Sequence, residues 1–156
     1  MSNPAVRIEN VPSRRVAYMR HTGPYQECGP VFQKFMGYCM AKGLFGPNAL
    51  VMGVGWDDPK TTPPEKIRYD ACITVNESFQ PDGEVKVQTL EGGKYAIATQ
   101  VGPYEQMPET YRWFISEWLL KSGQTMRDLP MYEVYRNSPG DVPPEQLLTE
   151  IHMPLV

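Results

Sequence analysis

The sequence predicts an α+β fold: a strand-strand-helix-strand-strand unit taken twice, giving about eight antiparallel strands and two main helices with pseudo-twofold symmetry. Two observations predict it, an internal repeat and the switch between strand and helix periodicity inside each copy. Gly23-Pro24-Tyr25-Gln26 returns as Gly102-Pro103-Tyr104-Glu105, an offset of 102 − 23 = 79. Holding that offset aligns Val6-Arg7-Ile8 with Val85-Lys86-Val87, Arg15 with Lys94, Ala17 with Ala96, Phe35 with Phe114, Lys42 with Lys121 and Trp56 with Tyr135. One inserted residue, placed after Trp56, then moves the offset to 143 − 63 = 80, where Pro63-Pro64-Glu65 meets Pro143-Pro144-Glu145 and Asp70 meets Glu150. Collinear agreement of this kind across both halves points to duplication, with one domain over 1–156 made of repeats at about 5–80 and 84–156.

Taken in order, Val6 to Val11 and Arg15 to Arg20 are rich in strand formers and separated by Pro12-Ser13, the pattern of a hairpin. Gly23-Pro24 closes the second strand. Val31, Phe32, Phe35, Met36, Cys39 and Met40 then recur at helical spacing, and Gly43 ends the helix. Its counterpart carries Tyr111, Phe114, Ile115, Trp118 and Leu119 and ends near Gly123. Strands follow at Leu50 to Trp56 and Ile67 to Val75, and again at Met131 to Tyr135 and Leu147 to Leu155. Asn76 to Gly83, polar and closed by Pro81-Asp82-Gly83, reads as the linker.

Composition sets the class. With 156 residues, 41% hydrophobic and 21% charged, the chain is an ordinary globular protein, and a net charge of −3 lacks the basic face of a nucleic-acid binder. No apolar run approaches a membrane span, and the first residues have no secretory pattern. Three scattered cysteines and two histidines offer neither a disulfide framework nor a metal cluster, so the expected home is the cytoplasm and no cofactor is expected. No Gly-x-Ser-x-Gly elbow, dinucleotide-binding glycine pattern or phosphate loop is present.

Candidate function comes from the place where the copies differ. At the offset of 79, Met52, Val54 and Trp56 on one strand face match Met131, Glu133 and Tyr135, so a valine has become a carboxylate between a thioether and an aromatic ring. A charge there is costly unless compensated, and its pKa rises. Glu133 then suits either capture of a lipophilic cation or general acid–base work, whereas a solvated face or a bridge to Arg112 or Arg136 is the structural alternative. Asp70 and Glu150 are acidic in both copies, which favours an ion-pair role. The ligand-binding candidates are Glu133, Tyr135, Trp56, Tyr104, Tyr25, Trp113 and Met131, in a groove expected between the repeats, where aromatic walls suit planar or cationic guests.

The segments Val16-Ala17-Tyr18 to Gly23-Pro24-Tyr25, Trp56-Asp57-Asp58-Pro59, Pro64 to Ala71, Gly92-Gly93-Lys94-Tyr95-Ala96, Tyr132-Glu133-Val134-Tyr135 and Leu148-Thr149-Glu150-Ile151 resemble, in order, the GyrI-like small-molecule-binding family, which includes DNA gyrase inhibitory proteins and effector domains of AraC-type and MerR-type regulators. The resemblance implies a duplicated SHS2-like fold with Glu133 at the base of a ligand pocket. With no helix-turn-helix before Val6, it implies a stand-alone member. His152 departs from the family, where an aromatic is common. Three functions are then expected in competition. One is capture of lipophilic, aromatic or cationic compounds, as in multidrug binding. Another is hydrolysis of cyclopropane-bearing genotoxins with Glu133 as the catalytic group activating water. The third is inhibition of DNA gyrase by protein contact.

Overall fold

The computed structural model describes residues 3–156 and confirms an α+β architecture of antiparallel strands. The chain forms two compact units: a continuous one, Pro12–Gly92, and a discontinuous one, the chain up to Val11 together with Gly93–Val156.

The continuous unit contains β2 (Arg14–Thr22), α1 (Gly29–Ala41), β3 (Val51–Gly55), β4 (Arg68–Thr74) and β5 (Lys86–Leu90), with sheet order β3-β4-β2-β5. Helix α1 lays Phe35 and Cys39 on the sheet face carrying Ala17, Met19, Ala71 and Ile73. Gly43, at φ 67°, reverses the chain after α1; its N–H donates to Met40 O, and Leu44 N–H donates to Cys39 O. This pair of bonds satisfies the last carbonyls, and the left-handed conformation is why the helix stops at glycine.

The discontinuous unit contains β1 (Ala5–Val11), β6 (Gly93–Val101), α2 (Met107–Trp113), a π-helical turn (Phe114–Trp118), α3 (Leu119–Ser122), β7 (Met131–Tyr135) and β8 (Leu148–Pro154), with sheet order β1-β6-β8-β7. Its core joins Ala96, Ala98, Met107, Phe114, Met131, Ile151, Met153 and Leu155. Short 3₁₀ turns precede the helices at Tyr25–Glu27 and Tyr104–Gln106, following the Gly-Pro corners.

Two features differ from the sequence expectation. The first two strands are not a hairpin. β1 pairs with β6, from Ala5↔Thr99 to Val11↔Gly93, while β2 pairs with β5, from Arg14↔Leu90 to Tyr18↔Lys86. Each repeat therefore sends its leading strand to the compact unit formed by the other. The registers match, because adding 79 to Val11 and Arg14 gives Leu90 and Gly93. Pro12-Ser13 is a crossing between units, a role that local sequence does not distinguish from a tight turn.

The inserted residue also lies elsewhere. Gly43 at φ 67° corresponds to Gly123 at φ 74°, an offset of 123 − 43 = 80, so the extra residue is already in place before β7. Phe35 and Phe114, both fully buried, still keep 114 − 35 = 79. Between them lies the π-helical turn, which α1 lacks. An i→i+5 turn holds one residue more than an α turn. The insertion is thus absorbed inside the helix, and the matches of Lys42 with Lys121 and Trp56 with Tyr135 are coincidental.

Candidate functional site

Strand β7 alternates its side chains, and its pairing with β8 sets Glu133 opposite Ile151 and Tyr135 opposite Thr149. Met131, Glu133 and Tyr135 therefore share the face that α2 covers, where Met131, Ile151, Met107 and Phe114 form the core. Tyr111, on α2, reaches down and donates its hydroxyl to Glu133 Oε2 at 2.7 Å. The Tyr135 hydroxyl donates to Oε1 at 2.5 Å. Tyr104, in the 3₁₀ turn before α2, sets its ring edge-on to Tyr135, with centroids 5.7 Å apart at 66°. Each carboxylate oxygen thus holds a phenol, with a third phenol behind them.

Part of the Glu133 side chain remains open to solvent, yet protein atoms crowd the carboxylate so closely that desolvation is the strongest influence on it. Burial pushes its pKa above the usual glutamate value, and the bonds from Tyr135 and Tyr111 pull back less than burial pushes. Burial also raises Tyr104, with the Glu133 charge adding to it.

Among the described residues no lysine or arginine pairs with Glu133. Arg112 is held by Glu109 and Glu117, and Arg136 by Glu150. Asp70 and Glu150 are the contrast. Asp70, fully buried, receives Arg20 Nε at 2.8 Å and Nη2 at 3.0 Å, Trp56 Nε1 at 2.6 Å and Gln88 Nε2 at 3.0 Å. Glu150 receives Arg7 Nη2 at 3.0 Å and Arg136 Nε at 2.8 Å. Burial alone would push Glu150 up, but the two guanidiniums together hold it below the usual value. Those acids are structural ion pairs, as their presence in both copies implies.

The offset of 80 changes the symmetry argument. In the continuous unit Gly53 pairs with Ala71, just as Glu133 pairs with Ile151, so the counterpart of Glu133 is Gly53 and not Val54. Val54 matches Val134, each opposite an ion-paired acid, Asp70 and Glu150. Met52, Val54 and Trp56 consequently occupy the face away from the helix, the opposite of Met131, Glu133 and Tyr135. Tyr135 replaces Gly55, and Thr149 replaces Tyr69. The contrast between the copies is sharper than sequence suggested: two side-chain-less positions have become a carboxylate and a phenol.

Of the sequence candidates, the structure gathers Glu133, Tyr135 and Tyr104. Met131 belongs to the core beneath them, and Trp113 stacks on Phe114 with centroids 6.3 Å apart. Trp56 and Tyr25 belong to the continuous unit, where Trp56 donates to Asp70 and the Tyr25 hydroxyl donates to Asp57 O at 2.6 Å. Sequence reading treated Tyr111 as core; its spacing of three from Phe114 was the available sign that it faces the sheet. Gln100 and Thr149 were missed too. They pair across β6 and β8 in the row that ends at Tyr135. Gln100 is bonded to Thr110 of α2. A separate recess of about 290 Å³ on the continuous unit is lined by Tyr18, Met19, Arg20, Glu84 and Lys86; Arg20 is tied to Asp70 and Glu84 to Lys34, so it has no unpaired acid.

Among the described residues no group of three or more His, Cys, Asp or Glu is placed to hold a metal ion, and no helix is long and apolar enough to cross a membrane. The "Probable transcriptional regulator YgiV" of Escherichia coli (strain K12) is 35% identical over 153 residues, covering 96% of this chain and 95% of that protein. The EcmrR C-terminal domain has a similar fold, with a TM-score of 0.76 at 16% identity over 98% of both chains. So does SAV2435, solved bound to tetraphenylphosphonium, with a TM-score of 0.62 at 17% identity over 97% of this chain and 94% of that one. The model of the GyrI-like small molecule binding domain matches residues 4–156, so the chain belongs to the GyrI-like family of small-molecule-binding domains.

Proposed function

We propose that the protein captures a lipophilic aromatic cation at Glu133. The observation that carries this reading is the pairing contrast: Asp70 and Glu150 are matched by arginine, whereas Glu133 sits desolvated among three tyrosines with only phenols on its oxygens. A buried charge without a counter-charge costs free energy in the empty protein. A cation with an apolar body relieves that cost, and the faces of Tyr104 and Tyr135 add attraction for it. All of these groups lie in one compact unit, the discontinuous one. The tetraphenylphosphonium bound by SAV2435 is a compound of this class and serves as the probe.

Titration calorimetry with tetraphenylphosphonium is expected to show saturable binding, weakened about tenfold or more in Glu133→Gln, the scale of a hydrogen-bonded charge. Equal affinity in the two proteins would overturn the reading.

The raised proton affinity of the same carboxylate favours a second reading. A carboxylate poised toward neutral pH beside phenols is equipped to activate water against a strained electrophile such as a cyclopropane-bearing genotoxin. Product formation that disappears in Glu133→Gln while binding survives would identify it. No turnover across a panel of such compounds would leave capture as the function.

A further inference from the structure

Thr149 is fully buried, and its hydroxyl has no hydrogen-bond partner. Buried hydroxyls are normally satisfied, because an unmade bond costs the full desolvation of the group. Valine has nearly the same shape and would avoid that cost. The counterpart in the continuous unit is Tyr69, whose ring meets Tyr25 edge-on with centroids 6.2 Å apart at 83°. The discontinuous unit thus has a smaller side chain where its relative has a ring, and a polar atom that the fold does not use. Thr149 lies on the α2-covered face, directly across from Tyr135 on one side and Gln100 on the other. The amide of Gln100 is already engaged, with Nε2 donating to Pro103 O at 3.2 Å and Oε1 accepting from Thr110. Glu133 is the diagonal neighbour of Thr149 across the β7–β8 ladder, a separation on the order of 7 Å between side-chain bases.

We infer that Thr149 is a specificity-determining residue: a second, uncharged pole of the Glu133 site, which selects aromatic cations carrying a hydroxyl or carbonyl oxygen several ångströms from the charge. The inference rests on the proposed capture of cations at Glu133. Tyr135 stands between the two poles, bonded to one and across the ladder from the other. A guest reaches Thr149 by displacing the Tyr135 phenol from Glu133, which exchanges that phenol for the cation and gives the threonine its first partner.

The test compares tetraphenylphosphonium with its mono(4-hydroxyphenyl) derivative by calorimetry on wild type, Thr149→Val and Glu133→Gln. Wild type should prefer the hydroxylated probe by about three- to tenfold, the range of one net hydrogen bond. Thr149→Val should erase that preference while keeping its affinity for tetraphenylphosphonium and a melting temperature at or above that of wild type. An unchanged preference in Thr149→Val, or none in wild type, overturns the inference and leaves the Glu133 reading standing. Affinity for both probes that is indifferent to Glu133→Gln sinks the Glu133 reading itself. A lowered melting temperature with unaltered selectivity in Thr149→Val shows that the hydroxyl serves the fold, and also overturns the inference.

Discussion

Glu133 is a residue whose cost to the fold and value to the site have the same origin. Its pKa in the folded protein is raised, above an unfolded value of about 4.3. The folded state therefore holds the proton more tightly, so the stabilising contribution is complete below the unfolded pKa and is lost as pH rises through the folded one. Glu133→Gln should melt higher than wild type at pH 7, and the gap should close near pH 4; calorimetric melting at the two pH values decides, and a lower melting temperature at pH 7 would contradict it. Cation affinity runs the other way, since only the carboxylate attracts the guest, and it should fall on acidification. Tyr111→Phe and Tyr135→Phe each remove a bond that pulls the pKa down, so each should move the acid midpoint of tetraphenylphosphonium binding upward. Glu150 is the opposite case. Its lowered pKa gives stability that is present above the unfolded value and lost as pH falls through the folded one. Glu150→Gln strands Arg7 and Arg136 and should cost about 1–3 kcal/mol by urea melts at pH 7, less at pH 3.

The helix of the discontinuous unit shows what sequence could and could not reveal about an element. Its apolar spacing was readable, as was the stop at Gly123, because helical periodicity and glycine reversals are written locally. The π-helical turn was not, since an inserted residue leaves the same letters on both sides. Lys121 and Tyr135 happened to fall opposite similar residues at the old offset, so the insertion was placed too late and the wrong residue was paired with Glu133. Glu133 itself still stood out, because an acid between Met131 and Tyr135 on a core-facing strand is anomalous whatever its counterpart. The turn also has a positional consequence. Tyr111 lies before it and Leu119 after it, so the extra residue sets the rotation of Tyr111 over β7 relative to the rest of the helix. Deleting the exposed Ser116 should restore α-helical spacing, as in α1, and turn Tyr111 away from Glu133. Far-ultraviolet circular dichroism should stay close to wild type while tetraphenylphosphonium binds at least as weakly as to Tyr111→Phe. Wild-type affinity in the deletion variant would show that the turn does not position Tyr111.

At the scale of the whole molecule, the exchange of leading strands governs how the chain comes together. The duplication was legible from Gly-Pro-Tyr and its collinear partners, but strand partners were not. β1 and β5 carry the alternation of an edge strand, which fits a neighbouring or a distant strand equally well. The structure chooses the distant one. β3 and β4 meet across 69 − 55 = 14 residues at Gly55↔Tyr69, and β7 and β8 across 149 − 135 = 14 at Tyr135↔Thr149. β1 meets β6 across 99 − 5 = 94 at Ala5↔Thr99, and β5 meets β2 across 90 − 14 = 76 at Leu90↔Arg14. Closing a longer loop costs more chain entropy before any contact repays it, and non-local pairings slow folding. Pulse-labelled hydrogen exchange during refolding should find β3, β4, β7 and β8 protected first and the two exchanged strands last. Removing residues 3–11 should then strip native-state protection chiefly from β6, whose outer side β1 covers, and take with it the Arg7 bond to Glu150, while β2 and β4 keep theirs. Early protection of β1, or equal loss of protection in β2 and β6 on truncation, would show that the leading strand is part of the folding nucleus and not a late brace.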